Sequence, residues 1–495
     1  MIYIVVTALY ILVLTGIIIY KSRGVKDEED FVVAGRNVPV YLLVGTLVTT
    51  WIGSGSLFGT AGLTFRTGFS ELWFSAGAWL GILVVYFIAA RVRKISQYTL
   101  TDLLEKRYSP IARLLGTITI IIAYLIIAGY QFKGGGRLLA ILTEGAITPE
   151  MGTIITCIVV IGFTATAGMV SIVSIDIFNG VIMIIAIVMA IPFALSAHGG
   201  WGEVTTTINA VSPDHLKVIG GHEPLWYLGI LLPTLLLLLS ESSVYQKFSS
   251  AKDAKSAKQA VFGMFVGVVI IEFLMCALAV IGFAIYADDP RFFMADGAIN
   301  RAMSEEIILR IGFEQLPAAV GSILFAGGVA IILSTGNTFL MVTSTNTTRD
   351  LIEKYFVKDL DAKQKVRYQR VAVVVLGVMA FLMVTQFTTI LEMAFLSYTM
   401  IGASLAPPLL AAFFWKRVTR QGGVASIAGG MLTVLIIGVL NKVFAESGLD
   451  LGIMKFPFDT DFIAIPAILV SLTTLIVVSL LTPPTDKEVI KEFFD

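Results

Sequence analysis

Two adjacent hydroxyls, Ser334 and Thr335, stand in "AIILSTGNTFLMV", a run otherwise apolar enough to lie in lipid. At 48–62 the chain reads "VTTWIGSGSLFGTAG", where glycine, serine and threonine interrupt another apolar run. A third, "LLLLLSESSVYQK", sets Ser240-Glu241-Ser242-Ser243 into its middle. Hydroxyls and freed backbone carbonyls are hard oxygen donors, the ligands a small hard cation takes. Non-helical backbone at membrane depth persists only where it is buried in protein or lines a cavity. These residues therefore point to cation ligation at interrupted helices. Two plainer readings stand beside that one. Gly55 and Gly59 can form a face for close helix packing, and helix hydroxyls commonly satisfy the carbonyl one turn back. Gly336 and Asn337, directly after Thr335, favour the ligand reading.

Charges inside apolar runs are the second signal, because an ionisable group in a span is costly unless paired or hydrated. Glu241 lies in the interrupted run, Glu272 within "VVIIEFLMC", and Glu392 early in a later run. Lys133 and Arg137 are four apart and so share a helix face. The chemistry open to them is recognition of a charged solute. The alternative is internal pairing that holds a bundle together.

The elements that position these residues follow from composition. The chain has 495 residues, 57% hydrophobic and 14% charged, with mean hydropathy +0.88. Soluble chains carry about 25% charged residues, so this one belongs in the lipid bilayer. Zero net charge argues against nucleic acid, and two cysteines in apolar runs, Cys157 and Cys276, imply no disulfide framework. Apolar runs long enough to span, each of about 20 residues, number about thirteen. The longest polar interruptions, 199–223, 287–316 and 346–367, are too short for soluble domains. No GxxxxGK[ST] occurs, so no ATP-driven engine is expected. No metal-ligand spacing or nucleophile–base pair marks an enzyme.

The expected organisation is one transmembrane domain over 1–495, with a leading helix at 2–20. That helix is read as a permanent span, being longer than a signal-peptide core. A first repeat covers 40–198 and a second 224–415, followed by two helices in 423–482 and a tail at 483–495. Interruptions in the first and sixth spans, counted from residue 40, are what two inverted five-helix repeats produce. Lys and Arg concentrate in the loops Lys21–Arg36, Arg91–Arg113, Lys247–Lys258 and Arg349–Arg370, which are therefore cytoplasmic. Loops holding Arg66, Lys217, Arg291, Arg301 and Arg310 then face outside, with the N-terminus outside and the C-terminus in the cytoplasm. His198, His215 and His222 share one outside loop and are not expected to form a metal site. Asn346-Thr347-Thr348 fits a glycosylation sequon but falls on the cytoplasmic side.

Three further motifs carry a resemblance. "VSIDIFNGVIMIIAIVMAIPFAL" resembles the aspartate motif that opens the fifth core helix of the sodium/solute symporters, with Asp176 on the aspartate. "YQFKGGGRLLAIL" is similar to that family's third core helix. "FFWKRVTRQGGVASIAGG" looks like its signature after the tenth, with Gly423 where alanine is usual. The resemblance runs from Tyr20 to about Gly430 and implies an all-α integral membrane fold. That fold is the five-plus-five inverted repeat of the bacterial leucine transporter, with an extra N-terminal helix.

The resemblance also implies sodium as the co-transported ion and a small-molecule solute as cargo. Carried over motif by motif, the sodium ligands fall on the carbonyls of Thr49, Ile52 and Ile331 and the hydroxyls of Ser334 and Thr335. Ile331 replaces the usual alanine, which a backbone ligand tolerates. The candidate substrate contacts are Trp51, Ser54, Glu241, Ser242, Glu272 and Tyr398. Asp176, Lys133 and Arg137 are candidates for coupling or for structural charge pairing. Trp51 resembles the tryptophan that the choline branch sets against a quaternary ammonium, a favourable contact of about 0.5–2 kcal/mol. The favoured solute is therefore an organic cation or amine. Amino acids, monocarboxylates and pantothenate-like acids stay open, as does coupling to protons. A membrane sensor or channel on the same scaffold is the rival class. Localisation in the cell membrane follows from the transporter reading.

Overall fold

Proline and side-chain caps fix where the long helices begin. Pro110 and Pro224 occupy first-turn positions, where a missing N–H costs nothing. Ser109, Asp253, Thr389 and Thr419 accept from backbone N–H groups of the turns they precede. The computed structural model describes residues 2–22, 38–95, 99–166, 169–357, 360–452 and 454–494. Most of the basic loop Lys21–Arg36 lies outside them.

The main helices are α1 (Ile2–Ser22), α2 (Val40–Trp51), α3 (Ala61–Thr67), α4 (Leu72–Ile95) and α5 (Pro110–Leu142). They continue with α6 (Pro149–Thr166), α7 (Met169–Ala197), α8 (Pro224–Ser240), α9 (Ser242–Ser250) and α10 (Ala254–Ile285). Last come α11 (Ala318–Asn346), α12 (Ala362–Val384), α13 (Ile390–Phe414), α14 (Arg420–Val443) and α15 (Ala464–Leu481). Among the described residues, 12 helical stretches are long and apolar enough to cross a membrane. Thirteen were expected; the apolar run 40–65 accounts for the difference. Its first half stands alone as the short helix α2. Its second half, a π-helical turn at Gly55–Thr60 and then α3, is separated from α4 only by a 3-10 turn at Gly68–Glu71, so the two count together as one helical stretch. Gly68, at φ +62°, turns the chain between α3 and α4, a conformation that only glycine adopts without cost.

Burial ranks the helices from centre to rim. The apolar windows of α11 and α13 are each 83% buried, whereas that of α1 is 17% buried. The outer helices turn Leu12, Ile158, Phe262 and Leu382 outward, all more than half exposed, as lipid contact requires. At the centre, α11 lies between α7 and α5, and α8 between α4 and α13. The first short helix, α2, packs on α7 and α10.

Two connections expected to be plain loops hold helices instead. Trp201–Val211 is amphipathic, and Ile307–Glu314 packs under α11. The polar run after α11 continues it as a π-helix over Thr347–Phe356. There Asp350, fully buried, accepts from Arg113 Nη2 at 2.5 Å and from Thr117 at 3.2 Å. Arg113 also meets Asp102 at 3.0 Å and Glu105 at 2.7 Å. Residues read as loop charges thus fasten α11 to the start of α5.

Candidate functional site

The helix that begins at Val40 stops at Trp51. Ile52 is extended (φ −78°, ψ 98°), and helical backbone resumes at Ser54. Glu241 separates α8 from α9 with nearly the same backbone (φ −68°, ψ 101°). The second break is thus a single extended residue, while the first spans Ile52 and Gly53, each with helix on both sides. The freed groups find partners across the bundle. Gln131 of α5 accepts from the Ser54 N–H at 2.9 Å, and Tyr245 donates to the Leu239 carbonyl at 2.7 Å. Gly53 is held to glycine by crowding, since a Cβ there would meet Thr335 Cγ2 at 2.9 Å.

Opposite the first break, Thr335 Oγ1 of α11 lies 3.3 Å from the Thr49 carbonyl, 3.4 Å from that of Thr50 and 3.3 Å from that of Ile52. Ser334, its neighbour, donates to Asp176 Oδ1 at 2.6 Å. Thr46 donates to the other oxygen of Asp176. Ile331 lies one turn before Thr335 on the same helix and is buried. The structure therefore brings the Thr335 hydroxyl together with the carbonyls of Thr49, Thr50 and Ile52, while Ser334 turns to Asp176. Both Ser334 and Thr335 turn across to other helices rather than to the carbonyl one turn back. All of these donors are hard oxygen, which suits Na+ rather than a soft metal.

Beside it is a cavity of about 10 Å³, room for about one water. Trp51, Tyr130, Glu241, Thr335, Phe339 and Tyr398 are among its walls. Glu241 Oε1 accepts from Tyr124 and from Ser243 Oγ at 3.0 Å. Its Oε2 is buried and has no hydrogen-bond partner. Tyr130 and Tyr398 hydroxyls meet at 3.1 Å. The site is thus a small aromatic chamber with one uncommitted carboxylate oxygen.

The other candidates are placed as follows. Ser54, Ser242 and Glu272 do not line the chamber. Glu272 instead accepts from the Trp51 indole at 2.8 Å and the Trp79 indole at 2.6 Å. Arg137 pairs with the buried Glu305, which also accepts from the N–H groups of Ile390 and Leu391 at the start of α13. Lys133 donates to the Phe387 carbonyl. Both basic residues thus brace the entry to α13, well apart from Glu241. Glu392 sits half-buried in the first turn of α13. The histidines go separate ways: His215 bonds Ser212 and the Phe65 carbonyl, His222 stacks on Trp226, and His198 meets Thr207. Burial holds the His215 imidazole below its ordinary pKa.

Several site residues were not singled out from the sequence. Tyr124, Tyr130 and Trp79 read as ordinary aromatics of apolar spans. Gln131 had a visible signal, as a lone amide in an apolar run beside three glycines. Lys247, placed by its neighbours in a basic loop, is in fact fully buried within α9.

The profile of the sodium:solute symporter family matches residues 31–430. A "Sodium/proline symporter" of Staphylococcus aureus is 26% identical over 494 residues, covering 96% of this chain and 92% of that protein. Among solved structures, a substrate-bound, outward-open Na+-coupled sialic acid symporter superposes with TM-score 0.78 at 15% identity. It covers 98% of this chain and 99% of its own. A nucleobase-cation-symport-1 family transporter in a closed conformation follows at TM-score 0.60 and 12% identity, over 94% and 97% of the two chains. At these identities the likeness is one of fold, the leucine-transporter type.

Proposed function

This chain belongs to the sodium:solute symporter family, and from that premise we propose that it carries a small solute with a positively charged nitrogen. Membership makes it a multi-pass membrane transporter rather than an enzyme, with Na+ as the co-transported ion and a small molecule as the solute. The observation that carries the solute class is the unpartnered Glu241 Oε2 in an aromatic chamber. A buried carboxylate oxygen without a donor is costly, roughly 1–3 kcal/mol or more. An ammonium seated against it supplies both the donor and the counter-charge, and aromatic faces around it add cation–π attraction. Organic amines and amino acids share that nitrogen. The curated relative named for proline, a secondary amine, supports the amino-acid side.

Sodium in this reading sits among the carbonyls of Thr49, Ile52 and Ile331 and the hydroxyls of Ser334 and Thr335. Thr335 already contacts two of those carbonyls and so joins α11 to the first break. Bound there, the ion would hold α2 against α11 and leave the neighbouring chamber shaped for solute. Loss of the ion would free α11 to move, and alternating access follows from that motion. The cell membrane is the proposed location, with the N-terminus outside. The proposed domain plan is a leading helix, two inverted repeats over 40–198 and 224–415, and two closing helices.

The test is thermal stabilisation of the purified full chain, with and without sodium, across amino acids, quaternary and primary amines, and monocarboxylates. Compounds with a cationic nitrogen should stabilise it, and only when sodium is present. Stabilisation by an anion that lacks such a nitrogen rejects the solute class. Stabilisation independent of sodium rejects the coupling site.

A further inference from the structure

Next to the Thr335 carbonyl cage lies a second charged cluster that the proposed function leaves unused. Asp176 of α7 and Lys247 of α9 are both wholly buried, 3.9 Å apart between Oδ2 and Nζ. Lys247 Nζ donates to the Thr46 carbonyl at 2.8 Å and to Thr50 Oγ1. Asp176 accepts from Thr46 on one oxygen and from Ser334 on the other. A carboxylate, a carbonyl and a hydroxyl thus converge on one point, and that set suits a small hard cation. The group they surround is the lysine ammonium, delivered by the second half of the broken helix.

We propose that the Lys247 ammonium is a resident cation, occupying a second cation site that a mobile ion would otherwise fill. The carrier then moves one Na+ per solute, while the second positive charge stays with the protein. Two features support this over a merely structural ion pair. First, the cluster joins the elements the transport cycle must move: α2 before the first break, α9 after the second, and α7. Second, Asp176 reaches the sodium ligands directly. Ser334 spends its proton on Asp176, so its lone pairs remain for Na+. The Asp176 carboxylate keeps Ser334 in that orientation, and Lys247 stands 3.9 Å from its other oxygen. Lys247 is accordingly a positioning residue for Ser334 as well as a counter-ion.

The inference rests on the reading of Ser334 and Thr335 as sodium ligands, so both are tested together. In proteoliposomes holding the full chain, the ratio of radiolabelled sodium to solute uptake should be one for the wild type. Lys247→Met leaves an anionic oxygen cage without its cation. Its ratio should rise to two, and sodium-dependent thermal stabilisation should become second-order in sodium. Lys247→Arg keeps the charge and should stay at one. Lys247→Met/Asp176→Asn removes both charges, folds more readily than the single change, and should return to one. A wild-type ratio of two overturns the proposal whatever the variants do, and so does a first-order Lys247→Met. Ser334→Ala/Thr335→Ala is run in parallel: if it leaves sodium dependence intact, the sodium site itself is wrong, independently of Lys247.

Discussion

The indole N–H of Trp51 donates to Glu272 at 2.8 Å, from the edge of the first break to the middle of α10. Trp79 holds the other carboxylate oxygen at 2.6 Å, so each oxygen of Glu272 already has an indole donor and the residue orients Trp51. Glu272→Leu would leave two indole donors without acceptors in a buried place. The cost is about 1–3 kcal/mol for each, so the thermal midpoint should fall and the KM for solute should rise. Glu272→Gln retains an acceptor and should do far less. Equal loss of binding from Gln and Leu, with stability unchanged, would mean that Glu272 touches the solute directly.

Ser334→Ala/Thr335→Ala separates ligands from hydroxyls that merely fill space. Each lost ligand is expected to cost about 1.5–3 kcal/mol, by analogy with hydrogen bonds to charge. The sodium concentration for half-maximal uptake should then rise at least about a hundredfold for the pair. Sodium-free stability should fall as well, since Ser334 donates to the buried Asp176, so the diagnostic readout is the lost extra stabilisation by sodium, a ligand term that acts only in the bound state. A shift below threefold, with surface expression matched, rejects the site.

Glu241→Gln addresses the solute. It keeps the shape of the chamber and the acceptor for Tyr124 while removing the charge. Affinity for a cationic solute should fall by about 1.5–3 kcal/mol, read as KM in uptake or as Kd in a binding assay. An unchanged or improved affinity points to an anionic solute.

Orientation is open to labelling. Lys217 and Arg301 are exposed between the long helices, and Lys255 and Lys363 are exposed in the first turns of α10 and α12. Single cysteines at Lys217 and Arg301 should react with an impermeant reagent from outside, and those at Lys255 and Lys363 only after the membrane is opened. Reversal of either pair overturns the topology. Removing the buried Lys247 from the cytoplasmic count leaves the positive bias in place.

What the sequence revealed and what it hid divide along physical lines. Ser334 and Thr335 announce themselves because polar groups in an apolar run need a reason, and so does Glu241. Those signals are local. The hidden residues are those whose role depends on a partner from another helix. Tyr124 looks like core until Glu241 arrives from far along the chain. Trp79 and Trp51 converge only because α4, α10 and the first break pack together. Lys247 misleads for a different reason: it precedes a basic stretch, and charge counting assigns a lysine to the water it usually seeks. Nothing short of tertiary packing shows that Thr46, Thr50 and Asp176 enclose it. The break in the run 40–65 was legible, but the tight turn at Gly68 that brings its second half directly to α4 was not.

The helix that bears Ser334 and Thr335 continues without interruption to Phe356, and Asp350 near its far end is clasped by Arg113. At about 1.5 Å of rise per residue, Ser334 and Asp350 are roughly 24 Å apart along one rod. That rod acts as a lever pinned at two points, one on each side of the bundle's middle. A tilt that parts Thr335 from Ile52 also swings Asp350 against the Arg113 clasp, so neither pin can slip alone. Movement at the first break is thereby tied to the charge cluster at the other end of the helix.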